Sequence, residues 1–364
     1  MTYRNIQGMR AIAALMVVSC HMFWSLVPMR THWAKPFFAA VGPAGVDIFF
    51  VISGFIIYHV VRRSVASLGQ VGRGRAVFAF AMKRFIRIYP LYWIAFAAAG
   101  LVLLWSPPTA LPLKKPVVEL LMLVDTIPNY VVGVAWTLTY EVYFYGVAAL
   151  SLLLLGKRAL WGLAFWFSVL IGAAIASAWR PWTAPLDYLF APILLEFLLG
   201  MAVGMLVERG ARKFHGTMFL AATVWMAAGT WLVARDPASY LLRVACWGMP
   251  AAVIIYGVIT LELRSRWIMP RALQYLGDAS FSLYLWHVIV FDAMVGAFAR
   301  LGWIGVINPV ALTAVMVAGA MGTGLLSYHY LEKPLLRRLG QWFVGQRVAS
   351  NALGTEAHAG NLAA

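Results

Sequence analysis

The sequence predicts an all-α integral membrane protein with about ten transmembrane helices, and three observations carry that reading. The chain is 63% hydrophobic and only 12% charged, with a mean hydropathy of +0.80, outside the range of soluble domains. Apolar runs of about 20 residues recur along it, each long enough to cross a bilayer as a helix. The basic residues, which give a formal charge of +16, gather in the connections between those runs. A charge of that size could signal nucleic acid. Its placement in short loops instead reads as topology and contact with anionic lipid, so no nucleic-acid partner is expected.

The spans are expected near 9–29, 39–61, 88–106, 136–155, 159–178, 188–207, 217–234, 241–261, 280–299 and 309–330. The first begins with Arg10 and reaches His21 through ten mostly apolar residues. Eleven helical steps of about 100° make three turns plus ~20°, so both side chains share one face, about 16 Å apart in height. A cleavable signal peptide is not expected, because cleavage would discard this pair. Between the second and third spans a loop over 62–87 is expected, bearing Arg62, Arg63, Arg73, Arg75, Lys83, Arg84 and Arg87 and no acid. The excess of Lys and Arg in this and the other even-sided connections places both termini in the cytoplasm. The Pro-rich connection 107–135 is the longest external one, and its apolar piece VVELLMLV is expected to be interfacial or re-entrant.

No internal repeat is evident. Cys20 and Cys246 both fall inside apolar runs and imply no disulfide. The membrane domain is expected over 1–335 and a cytoplasmic tail over 336–364, disordered from about Ala349. No attached soluble domain is expected.

Ionisable residues within the spans are costly and mark function. Counting ~1.5 Å per residue from the inner face of a ~30 Å core puts His287 near 10 Å, His21 near 16 Å, Asp47 near 18 Å and Glu141 near 22 Å. These side chains come from four helices and are expected to line a polar column at successive heights. Glu332 lies at the inner end of the last span, level with Arg10, Arg84 and Arg87. No Gly-x-Ser-x-Gly, P-loop, dinucleotide fingerprint or zinc spacing occurs, so no metal is expected.

Six stretches in order carry a family resemblance: MRAIAALMVVSCH (9–21), GVDIFFVISGF (45–55), KRFIRIYPLYW (83–93), WTLTYEVYFY (136–145), SFSLYLWH (280–287) and YHYLEKP (328–334). Together they resemble the membrane-bound acyltransferase family 3 from the first span to the last. The resemblance implies an O-acyltransferase that moves an acetyl or similar short acyl group from acyl-CoA to a hydroxyl of a surface polysaccharide or its lipid-linked precursor. It would be of the stand-alone exopolysaccharide type, in the inner membrane, with acetyl-CoA as donor substrate rather than a resident cofactor. Polysaccharide assembly machinery is a further implied partner.

Carried over by position, His21 is the catalytic base or transient acyl carrier, and Arg10 holds its partner or the donor. Arg84 and Arg87, three apart on one helix face, bind the CoA phosphates. Glu141 orients His21, binds a sugar hydroxyl or pairs with a buried cation. Asp47, His287 and Glu332 serve substrate binding or the polar column. Glu332 either pairs with one of the inner cations or contacts the donor. A pantetheine arm of roughly 15–20 Å matches the ~16 Å rise from Arg10 to His21. Two rival classes fit part of the pattern. A sugar or lipid transporter would also carry an intramembrane charge column, but the sequence shows no paired halves. A structural subunit of a polysaccharide export machine would find these residues replaceable.

Overall fold

The computed structural model describes residues 3–105, 116–123, 131–177, 182–183, 185–211, 213–214, 216–236, 239–265 and 267–344. Among these residues no strand occurs, and nine apolar helical stretches are long enough to cross a bilayer. One of the nine, Trp136–Ser177, is 42 residues long and consists of two helices that meet at Gly156, so each of the ten expected spans has a helical stretch at its place, though not with the same ends. Large apolar side chains face outward, such as Trp161 at 75% and Phe165 at 72% exposure. A soluble protein does not present such a surface; a bilayer solvates it.

Helix α1 (Arg4–Ser25) starts on an acid from elsewhere in the chain: the Arg4 and Asn5 amides each donate to the Glu262 carboxylate at 2.8 Å. These are orphan donors of a helix start, and a carboxylate there also meets the positive end of the helix dipole. Asn5, fully buried, donates to Val258 O and Trp267 O and accepts from the Met269 amide. This end of α1 is thereby fixed to α12 (Met249–Ser265) and to α13 (Arg271–Asp278), where Gly277 abuts the Gln7 carbonyl.

After the short α2 (Lys35–Val41), α3 (Ala44–Val71) packs between α1 and α9 (Leu195–Glu208). Glycines permit the approach: a Cβ at Gly45 would lie 2.4 Å from Ala13 O, one at Gly54 2.1 Å from Phe197 O, and one at Gly200 1.9 Å from Val51 O. No loop follows. Only Gly72, at φ +79°, separates α3 from α4 (Arg73–Trp105). The expected loop 62–87 is therefore corrected to two helical extensions. Arg, Lys and Ala are good helix formers, and charge alone does not end a helix. At 28 and 33 residues, α3 and α4 run roughly 42 and 50 Å, longer than a ~30 Å core.

The apolar piece after Pro116 forms α5 (Pro116–Leu120), pinned to α4 by side-chain donors: Tyr92 to Glu119 O, Trp93 to Leu120 O and Tyr89 to Leu121 O. Then α6 (Trp136–Leu155) turns at Gly156, φ +54°, into α7 (Ala159–Ser177). The short α8 (Leu186–Leu189) precedes α9, and α10 (Gly216–Arg235) lies at the periphery, with most of its residues exposed. By contrast α11 (Tyr240–Arg243) runs through a π-helical turn, Val244–Gly248, into α12, a stretch 72% buried at the centre.

Last come α14 (Ser280–Arg300), α15 (Pro309–Ser327), a π-helical turn at Tyr328–Glu332 and α16 (Lys333–Val344). The domain boundary drawn at 335 falls inside α16, which continues from the π-helical turn through Pro334 without a break. The expected disorder from Ala349 lies outside the described residues.

Candidate active site

Helix α14 is the hub of the polar interior. In SFSLYLWH four polar side chains reach out to neighbouring segments. Ser282 donates to Glu332 at 2.6 Å, and the Tyr284 hydroxyl meets Thr137 Oγ1 at 2.8 Å and Val134 O at 3.1 Å. Trp286 Nε1 donates to Ser327 at 2.8 Å. His287, fully buried, meets His21. One helix thereby holds the segment before α6, the end of the last span and the first span together.

The histidine pair is edge to face, with ring centroids 5.0 Å apart at 67°. His287 Nε2 lies 3.4 Å from His21 Nδ1, which is also 2.9 Å from Val17 O. Cys20 Sγ is 3.5 Å from the same nitrogen and 3.2 Å from Val17 O. His21 is half-buried, with its Nδ1 edge occupied by these groups. The sequence placed His21 and His287 on different helices at successive heights; the structure brings their rings into direct contact. A count along one helix gives depth and face but not which side chain stands opposite. Arg10, half-buried on the same helix as His21, donates to Gln7 Oε1 at 3.1 Å, beside the seam with α13.

Glu141 bonds elsewhere than His21. Its Oε1 accepts from Ser53 at 3.2 Å and from the Tyr145 hydroxyl. The guanidinium of Arg84 stands 5.6 Å over the Tyr145 ring, and its buried Nε makes no hydrogen bond among the described residues. Arg84 and Glu141 thus flank one tyrosine at the junction of α3, α4 and α6.

Arg87, three residues on, faces a different neighbour. Its Nη1 is 2.6 Å from Glu332 Oε1, with Glu332 2% exposed, and its guanidinium lies 5.4 Å from the Phe281 ring. Of the alternatives for Glu332, the structure has the pairing with an inner cation. The π-helical turn ending at Glu332 inserts one residue into the helix and sets the direction of this side chain.

Asp47, fully buried, is gripped by Arg243 through two bonds, Nη2 to Oδ2 at 2.7 Å and Nε to Oδ1 at 3.3 Å. Trp247, Trp136 and Tyr240 ring the guanidinium at 5.2 to 5.9 Å. Glu196, also fully buried, lies within electrostatic reach of both, against Gly248. Sequence reasoning missed Arg243 and Glu196. The signal was present: PILLEFLLG holds a lone carboxylate within an apolar run, and Arg243 sits at the start of another. Among the described residues, no three His, Cys, Asp or Glu side chains group as metal ligands.

Fold and site together define a polytopic helical membrane protein with paired imidazoles and braced carboxylates inside its bundle. Comparison with known families names that class: residues 3–329 match the model of the acyltransferase family 3, described as "Acyltransferase domain", and the chain belongs to this family. It is therefore a membrane acyltransferase, which decides against the transporter and the structural subunit.

Among its relatives is the exopolysaccharide production protein ExoZ of Rhizobium meliloti (strain 1021). The two are 32% identical over 318 residues, 82% of this chain and 90% of that protein. The acyltransferase MdmB of Streptomyces mycarofaciens is 26% identical over 374 residues, 93% of this chain and 92% of that protein. The putative peptidoglycan O-acetyltransferase YrhL of Bacillus subtilis (strain 168) is 22% identical over 368 residues, 91% of this chain and 54% of that protein. No solved structure matches the chain.

Proposed function

We propose that this acyltransferase moves an acetyl or similar short acyl group from acyl-CoA to a hydroxyl of a surface polysaccharide or its lipid-linked precursor, in the inner membrane. Similarity to a protein of exopolysaccharide production over most of both chains supports the acceptor class. The single observation that carries the chemistry is His21: a half-buried imidazole inside the bundle with its Nδ1 edge engaged. Imidazole is the natural base for a hydroxyl near neutral pH. In direct transfer, Nε2 takes the hydroxyl proton as the oxygen attacks the thioester carbon. The C–S bond then breaks, and the proton passes to the leaving sulfur. In the two-step alternative, Nε2 itself carries the acyl group between donor and acceptor.

The donor nucleotide is anionic and cytosolic, so its phosphates belong on the cations at the inner ends of α3 and α4. Arg84, with a buried donor to spare, and Arg87 are the proposed contacts for the CoA phosphates, and Arg10, on the same helix as His21, is proposed to hold the donor. Glu141, tied to Ser53 and Tyr145, is the proposed carboxylate for the acceptor sugar. Transfer from labelled acetyl-CoA by purified His21→Ala protein tests the reading. Activity should fall about 100-fold or more with folding intact. Retention of more than roughly a tenth would end the catalytic assignment.

A further inference from the structure

The proton count on the histidine pair goes further than the contact itself. A carbonyl oxygen only accepts, so His21 Nδ1, 2.9 Å from Val17 O, carries the hydrogen. By the same argument His287 Nδ1, 3.1 Å from Leu283 O, carries one too. That leaves His287 Nε2 with a lone pair, and it lies 3.4 Å from His21 Nδ1 in a side chain with no exposed surface. The hydrogen on His21 Nδ1 faces one backbone oxygen and one imidazole nitrogen, with the weaker acceptor Cys20 Sγ, whose own hydrogen goes to Val17 O, at 3.5 Å.

We infer that His287 is a positioning residue for His21: its Nε2 lone pair, with Val17 O, holds the Nδ1–H tautomer, so that Nε2 of His21 is the atom that accepts the acceptor's proton. The inference rests on the proposed role of His21. As the hydroxyl O–H bond breaks and an Nε2–H bond forms, His21 becomes an imidazolium, and its charge is met at Nδ1–H by both acceptors. The proton then leaves Nε2 for the sulfur as the C–S bond breaks. His287 neither gains nor loses a proton, and no further reactant is needed. The role is that of the third group which orients a base, played here by an imidazole.

The test compares His287→Gln, His287→Phe and His21→Ala, purified and checked for monodispersity and thermal unfolding. Glutamine offers an amide oxygen where Nε2 stood; phenylalanine fills the space without an acceptor. His287→Phe should lower kcat about tenfold or more, the scale of one hydrogen bond to a charged group, with KM for acetyl-CoA unchanged. His287→Gln should recover most of that loss. Spectra of 15N-histidine protein without substrate should show His21 protonated at Nδ1 in the wild type, with a smaller Nδ1–H fraction in His287→Phe. If the Phe variant does not fold, His287→Met, apolar and flexible, takes its place. Equal losses in the Gln and apolar variants, or an unchanged kcat in the apolar one, would overturn the inference. If His21→Ala is dead while His287→Phe is normal, only this inference fails; if His21→Ala is active, the proposed function fails first.

Discussion

Two buried ion pairs set what single residues can tolerate. Asp47 and Arg243 sit together with almost no exposed surface, so Asp47→Ala takes the two-point partner from a guanidinium ringed by Trp136, Tyr240 and Trp247, leaving Glu196 as the nearby carboxylate. Breaking one side of such a pair costs about 3–5 kcal/mol, and thermal unfolding in detergent should show a loss of that order. Arg243→Lys should not rescue, because an ammonium cannot match the two-point grip on the carboxylate. Arg87 is more exposed than Glu332, at 18% against 1% for the side chains. Arg87→Ala should therefore cost less, up to about 3 kcal/mol, with Glu332→Gln partly compensating in a double-mutant cycle. That cycle also separates two roles. If Arg87 only braces Glu332, donor affinity measured by calorimetry stays at the wild-type value once stability is restored; if it binds CoA phosphates, affinity stays low.

At the scale of elements, α3 and α9 meet along a close-packed seam. Gly54 and Gly200 let backbone meet backbone, as small residues do where helices have no hydrophobic drive to associate within lipid. Gly200→Ala should prevent assembly, because the methyl group would press on the Val51 carbonyl, which cannot move as a side chain can. Overpacking of this kind costs about 1–3 kcal/mol where neighbours yield and more where they do not. Loss of monodisperse protein after extraction is the expected result, and full recovery with wild-type stability would refute the seam's importance. The two π-helical turns belong to the same scale. One follows Arg243 and the other ends on Glu332, so each adjoins a buried ion pair and re-aims the helix that carries it.

For the whole molecule, the basic ends of α3 and α4 imply a direction. The phosphates of CoA cannot cross ~30 Å of hydrocarbon, so the donor should approach from the side bearing Arg62, Arg63, Arg73 and Arg75. On the proposed function, the pantetheine arm would then thread toward His21, and only the acyl group would pass to an acceptor on the far side. In sealed vesicles of known orientation, acetyl-CoA given on the cytoplasmic face should support transfer, and on the outer face it should not. Equal activity from both faces would overturn the route. Both termini lie on the donor's side in this scheme, which protease protection in the same vesicles would check.

What the sequence determined by itself is the set of spans and the family. Within lipid each backbone group must be satisfied along its own helix, so length and apolarity are enough to find a span such as Ser280–Arg300. Likewise Arg10 and His21 share a face by spacing alone. Tertiary structure decided the pairings. Spacing fixes height and face on one helix but is silent about which helix stands opposite. Hence Arg84 and Arg87, three apart, reach Tyr145 and Glu332 respectively. The partner of Asp47, 196 residues away, was likewise invisible. So was the neighbour of His21: not Glu141 but His287, 266 residues along the chain. Even the loop expected at 62–87 turned on three-dimensional fact, because helices that outrun the bilayer carry their charges into water without unwinding.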